Sequence, residues 1–166
     1  MSGAVMEGKA HKLGDHLNTD MIISATHLVT IDPVELGSHL LESYDPEFVA
    51  KVSPGDVLVG GVNFGLGSSR EHAPVAIMGA GISCVIASSF ARIFYRNAIN
   101  VGLPILESAE ASQAIADGDD IKVDLAAGTI EDVTTGKKFS FPAYPEFMQR
   151  LIDEGGLINY LLKQDA

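Results

Sequence analysis

The stretch Gly60-Gly61-Val62-Asn63-Phe64-Gly65-Leu66-Gly67-Ser68-Ser69-Arg70-Glu71-His72-Ala73-Pro74 decides most of what this chain can become. The apolar run Val57 to Val59 enters it, and Ala73 to Ala80 leaves it with the composition of a short helix. Glycine reaches backbone conformations that side chains forbid, and it lets the chain approach a ligand closely. A loop between a strand and a helix points N–H groups at whatever sits on the helix N-terminus, which suits an anion. Arg70 adds a guanidinium fork that matches a carboxylate or a phosphate. Taken alone, these residues describe an anion-binding loop with two hydroxyls in it, Ser68 and Ser69.

Three other readings fit less well. A phosphate loop ends in Gly-Lys-Ser/Thr, and the lysine is missing. A dinucleotide loop wants a third glycine where Arg70 stands. Ser68-x-x-Glu71 spells a helix capping box, but it would put Pro74 in the second turn, where the missing N–H breaks an internal bond. Proline fits best in a first turn, so the helix is predicted to begin at about Glu71–Ala73. That leaves Ser68, Ser69 and Arg70 in the loop.

A chain of 166 residues with 46% hydrophobic composition suits one domain, 1–166, with a sizeable core. Its net charge of −11 argues against a nucleic-acid surface or an anionic-membrane surface. Any small anion must be bound locally. The one cysteine, Cys84, lies in the apolar run Ile82 to Ala87 and reads as a buried small hydrophobe. It cannot form an internal disulfide, and an iron–sulfur cluster takes about four ligands. No signal-peptide pattern and no membrane-length apolar run occur, so a cytoplasmic location is expected.

In chain order, Ala4 to Leu13 reads as an edge strand, and His11 and His16 read as surface histidines. Asn18-Thr19-Asp20 is a cluster of turn formers leading into Met21-Ile22-Ile23, a short strand or turn. Asp32-Pro33 starts a helix predicted to run to about Glu42, and Asp45-Pro46 starts a shorter one. Ile82 to Ala87 has the continuous apolar character of a strand buried on both faces. Ser88 or Ser89 is expected to cap a helix over Phe90–Asn100. Arg92 and Arg96 share one face of it, which is unfavourable without an anionic partner nearby; two solvated arginines are the alternative reading. Leu103–Leu106 is another strand, and Ala109–Ala116 another helix. Asp119 to Phe141 alternates, with turns at Ala127-Gly128 and Thr135-Gly136, and reads as antiparallel hairpins. A last helix opens at Pro145. The order implies an α/β domain with a mixed sheet.

Gly61 to Pro74, with Asn18-Thr19-Asp20 upstream and Ser88-Ser89-Phe90-Ala91-Arg92-Ile93-Phe94-Tyr95-Arg96-Asn97 downstream, strongly resembles the small subunits of 3-isopropylmalate dehydratases. That family is similar to the swivelling fourth domain of aconitase. The resemblance runs from about Gly8 to Leu162 and implies a swivelling β/β/α domain. It implies a hydro-lyase that moves a hydroxyl between adjacent carbons by dehydration and rehydration, in leucine biosynthesis. A separate large subunit would hold a [4Fe–4S] cluster and form a heterodimer or heterotetramer with this chain, which itself would hold no cofactor or metal. A homo-oligomer of the isolated chain is also open. Ser68 matches the base that takes the substrate proton, and Ser69 and Arg70 match residues that hold a substrate carboxylate.

Substrate choice falls to the loop Thr26-His27-Leu28-Val29-Thr30. Homoaconitase-like relatives tend to carry an arginine there for a third carboxylate. Leu28 and Val29 offer apolar surface instead, and an isopropyl group packed on them would gain about 0.8 kcal/mol per buried carbon. A carboxylate there would lose water without gaining a partner. Isopropylmalate is therefore the expected substrate. Homoaconitate, or another branched dicarboxylate such as dimethylmalate or citramalate, is the alternative, and a free-standing dicarboxylate-binding domain is the reading without chemistry.

Overall fold

The computed structural model describes residues 5–67, 71–142, 144, 146–154 and 156. Seven strands form one mixed sheet in the order β4-β3-β2-β1-β5-β6-β7. These are β1 (Val5–Lys12), β2 (Val57–Val59), β3 (Cys84–Ala87), β4 (Ile105–Glu107), β5 (Asp120–Asp124), β6 (Thr129–Asp132) and β7 (Lys137–Ser140). The first four run parallel and the last three antiparallel. The α/β class and the mixed sheet expected from the sequence are both present.

The β1 strand is not an edge. It pairs with β2 on one side and β5 on the other, and so joins the two halves of the sheet. Its mixed composition reflects a half-buried middle strand, with Met6 and Gly8 less exposed than their neighbours and Ala10 fully enclosed. β2 and β3 are buried on both faces, as their continuous apolar runs require.

The helices are α1 (Thr19–Ile22), α2 (Pro33–Gly37), α3 (Phe48–Lys51), α4 (His72–Gly79), α5 (Arg92–Val101), α6 (Ala109–Ala114) and α7 (Glu146–Asp153). Met21 and Ile22 belong to α1 rather than to a strand, because Asn18 caps that turn and its side-chain oxygen accepts the N–H of Met21 at 2.9 Å. Asp32 caps α2 as predicted, with Pro33 in the first turn. α2 ends at Gly37 rather than near Glu42; consecutive turns carry the chain on, and Leu41 takes a left-handed φ of 55°. α5 begins at Arg92 with Ala91 at the cap, so neither Ser88 nor Ser89 caps it.

α2 and α4 cross with almost no side chain between them. A Cβ on Gly37 would overlap the backbone of Gly79 and Ala80, and one on Gly79 would overlap the carbonyl of Pro33. This contact fixes where the segment ahead of α2 lies relative to the start of α4.

Candidate functional site

The parallel strands end level with one another, Lys12 beside Val59, Val59 beside Ile86, and Ala87 beside Glu107. Loops from β1, β2 and β3 meet beyond those ends, where open α/β sheets usually bind ligands. The glycine-rich loop after β2 is strapped down on both sides. Val62 N–H donates to Asp15 Oδ1 at 2.9 Å, Gly65 N–H to the Leu17 carbonyl at 2.8 Å, and Thr19 N–H to the Leu66 carbonyl at 2.9 Å. On the other side, Phe64 N–H donates to the Ser89 carbonyl at 3.0 Å, and Ala91 N–H to the Phe64 carbonyl at 3.0 Å. Ser89 therefore serves the loop rather than a helix cap: its hydroxyl accepts the N–H of Asn63 at 2.9 Å.

Phe64 is the anchor under this loop. It is fully buried and packs edge-to-face on Phe94, with centroids 5.3 Å apart, and on Phe90. Gly65 lies over Phe94 at φ 85°, where any side chain would collide with that ring. The three sequence stretches behind the family resemblance thus form one hydrogen-bonded layer.

Ser68, Ser69 and Arg70 lie outside the described residues; the residues on either side of them do not. Gly67 stands at φ 111° beside Thr19. Glu71 is the N-cap of α4 and Pro74 falls in its first turn, so the helix begins where the sequence predicts. The first-turn N–H groups of a helix have no partners within it.

A groove of about 300 Å³ opens beside this point, with Ile31, Pro33 and Leu36 on one side and Glu71, His72 and Val75 on the other. It joins the segment after Leu28 and Val29 to the residues that directly follow Arg70. Leu28 is half-buried against the core, whereas Val29 is 92% exposed and Ile31 81%. Arg92 and Arg96 are exposed and face a different groove, shared with Met148 and Leu151 of α7. Neither makes an ion pair with a described residue.

Two features escaped the sequence reading. His11 is not a surface histidine: its Nε2 lies 2.7 Å from Asp56 Oδ2, with the ring against Phe48. His27 stacks on His39, and both reach Glu42. The i, i+3 spacing of His39 and Glu42 was the only local signal for the second.

Cys84 is fully enclosed, and burial pushes its thiol up to about 12. A protonated, enclosed thiol is no iron ligand, and a cluster needs about four. The chain's donor set therefore does not fit an iron–sulfur cluster.

Comparison with known proteins agrees with this geometry. Residues 15–111 match the aconitase C-terminal domain. The chain is 57% identical to the 3-isopropylmalate dehydratase small subunit of Caldicellulosiruptor bescii, over 98% of this chain and 99% of that one. It is 56% identical to the 2,3-dimethylmalate dehydratase small subunit of Eubacterium barkeri, over 93% and 95%. The crystal structure of a 3-isopropylmalate dehydratase from Methanocaldococcus jannaschii superposes with a TM-score of 0.92 at 45% identity, covering 98% of this chain and 96% of that one. The family expected from the loop motifs is the family found: the chain belongs to the aconitase C-terminal domain family and, within it, to the small subunits of hydro-lyases of the 3-isopropylmalate dehydratase type.

Proposed function

We propose that this chain is the small subunit of a 3-isopropylmalate-type hydro-lyase and works with a cluster-bearing large subunit in the cytoplasm. In this reading Ser68 takes the proton from the carbon next to the carbinol. The freed electron pair forms the double bond as the neighbouring hydroxyl leaves, proton and hydroxyl together making one water, and a water then adds back with the opposite regiochemistry. A serine oxyanion is unfavourable in water and needs positive charge and N–H donors around it. Arg70 and the N–H groups opening α4 are the local sources of both. Ser69 and Arg70 hold a substrate carboxylate, Arg70 by a bidentate pair.

The observation that carries this reading is the groove between Ile31–Leu36 and Glu71–Val75. It joins the segment that directly follows the loop of Leu28 and Val29 to the residues that directly follow Arg70, which supports one dicarboxylate meeting both. Val29, almost wholly exposed, is free to cover a branched alkyl group once the large subunit closes over it.

A second reading rests on the Eubacterium barkeri relative, whose identity to this chain is nearly that of the 3-isopropylmalate relatives. Dimethylmalate also presents an apolar branch beside two carboxylates, and Leu28 and Val29 suit either. The test is anaerobic turnover of this chain mixed with its large subunit, on isopropylmalate, dimethylmalate and homocitrate side by side. Turnover of isopropylmalate that Ser68→Ala lowers at least about a thousandfold supports the first reading. Faster turnover of dimethylmalate selects the second. Retained turnover in Ser68→Ala removes that serine from the mechanism.

A further inference from the structure

His27 ends the short 3-10 turn Ala25–His27 that leads directly into Leu28. His39 and Glu42 lie in the turns after α2. The imidazoles of His27 and His39 stack at 3.7 Å with planes 8° apart. Both rings approach the same carboxylate oxygen: His27 Nε2 is 2.9 Å from Glu42 Oε2, and His39 Nδ1 is 3.1 Å from it. One donor atom from each residue lies within 4.8 Å of the other two.

We propose that His27, His39 and Glu42 form a binding site for one divalent transition-metal ion of the zinc class. Two imidazoles and a carboxylate are the donors that suit zinc, cobalt or nickel rather than calcium or magnesium. Zinc–nitrogen and zinc–oxygen bonds of about 2.0–2.2 Å place tetrahedral ligands about 3.3–3.5 Å apart. The two contacts to Oε2 are a few tenths of an ångström shorter than that, so a small outward rotation of the side chains admits the ion.

Without metal, each ring must donate an N–H to Oε2. On binding, each ring proton moves to its other nitrogen and the freed lone pair becomes a ligand; no net proton is lost from neutral rings. The side chains are partly open, 24% exposed at His27, 33% at His39 and 47% at Glu42. An ion can therefore enter, and water can fill a fourth position. Leu41, between His39 and Glu42, is fully buried, and its N–H donates to the Ile22 carbonyl at 2.9 Å. That anchor holds the two ligands of this turn in place before any ion arrives. A bound ion would fasten the turn of His27 to the turn of His39 and Glu42, and so fix the course of Leu28 and Val29. This last consequence rests on the substrate reading of those two residues; the metal site itself does not.

The experiment uses the full chain, free of any affinity tag and stripped of metal, titrated with Co²⁺ and then back-titrated with Zn²⁺. The expected result is visible d–d absorption saturating at one equivalent of Co²⁺, displaced by Zn²⁺, with a melting temperature that rises when Zn²⁺ is added. His27→Ala, His39→Ala and Glu42→Gln should each weaken binding about tenfold or more. Glu42→Gln keeps the side-chain size and the fold, so it decides the matter if a histidine variant does not fold. Unchanged affinity in Glu42→Gln, or no saturable binding in the native chain, overturns the site and leaves an ordinary ion-paired cluster. Loss of binding with an unchanged substrate profile keeps the metal site and rejects only its effect on the loop.

Discussion

The two halves of the sheet are built on different principles. Strands β1 to β4 are parallel, so every connection must cross back over the sheet and deliver a loop to the same edge. Three of those loops, after Lys12, Val59 and Ala87, knit into the layer around Phe64. Strands β5 to β7 are antiparallel and joined by tight turns at Gly128 and Gly136. β5 alternates exposed and buried residues, whereas β2 and β3 are buried throughout. The parallel half joins loops from distant segments into one closely packed layer. The antiparallel half closes the sheet and tolerates change. Substitutions of the same kind should therefore cost far more in the first half than in the second.

Gly79→Ala is the most severe such test. The new methyl must displace the Pro33 carbonyl, so α2 and α4 must part. The expected loss is about 3 kcal/mol or more, read by chemical denaturation. The groove at the start of α4 would widen with it, so turnover with the large subunit should fall further than stability alone explains. A cost below about 1 kcal/mol would mean that the two helices are not held by this contact.

Gly65→Ala and Gly136→Ala put the comparison on equal terms. Both glycines have a positive φ, 85° and 79°, and so carry the same backbone penalty of about 1 kcal/mol. Only Gly65 has a ring under it; around Gly136 the space is open. Gly65→Ala should cost about 2 kcal/mol more than Gly136→Ala. Equal costs would show that the layer over Phe94 gives way freely.

How much of this was readable in the sequence follows the same division. The hairpins announced themselves, because alternation and glycine turns act over a few residues. The glycine loop and the start of α4 were legible because Pro74 restricts its own neighbourhood. What could not be read depends on distant partners. A middle strand such as β1 looks like an edge strand until β5, more than a hundred residues later, is laid beside it. His11 looks like a surface histidine until Asp56 meets it. Ser89 has the form of a helix cap, and its use as the acceptor for Asn63 depends on the layer that the loop joins. The family was legible from the motif. That the segment from Ile31 to Leu36 lies beside the start of α4 depends on Gly37 and Gly79, which have no local signature.

Asp56 tests the end of the parallel half away from the loops. Burial opposes its ionisation, yet the Ser53 N–H, the His11 ring and the Lys9 N–H together hold its carboxyl below the usual carboxylate range. A lowered folded pKa gives stability that is present above the unfolded value, about 3.9, and lost as the pH falls through the folded one. Asp56→Asn should cost about 2 kcal/mol at neutral pH and flatten the acid limb of the stability curve. An unchanged acid limb would assign acid unfolding to other carboxylates.

Asp132 tests the antiparallel half and should have the smallest effect, with the opposite sign. It is 1% exposed, and its Oδ2 has no partner at hydrogen-bonding geometry among the described residues. Burial first, and then the neighbouring Asp119, push its carboxyl up. At a pH between the unfolded and the raised folded value, the folded chain therefore keeps a proton that the unfolded chain gives up. Stability from this group is complete at low pH and declines as the pH rises from the unfolded value, about 3.9, through the raised folded one. Asp132→Asn supplies a permanent N–H donor beside Asp119 and keeps the acceptor for the Thr135 N–H. It should stabilise the chain by about 1 kcal/mol at neutral pH and change nothing well below pH 4, as thermal melts across that range would read. A loss at neutral pH would mean that Asp132 is needed there as a carboxylate, and that this half too is tuned for a charge rather than for closing the sheet.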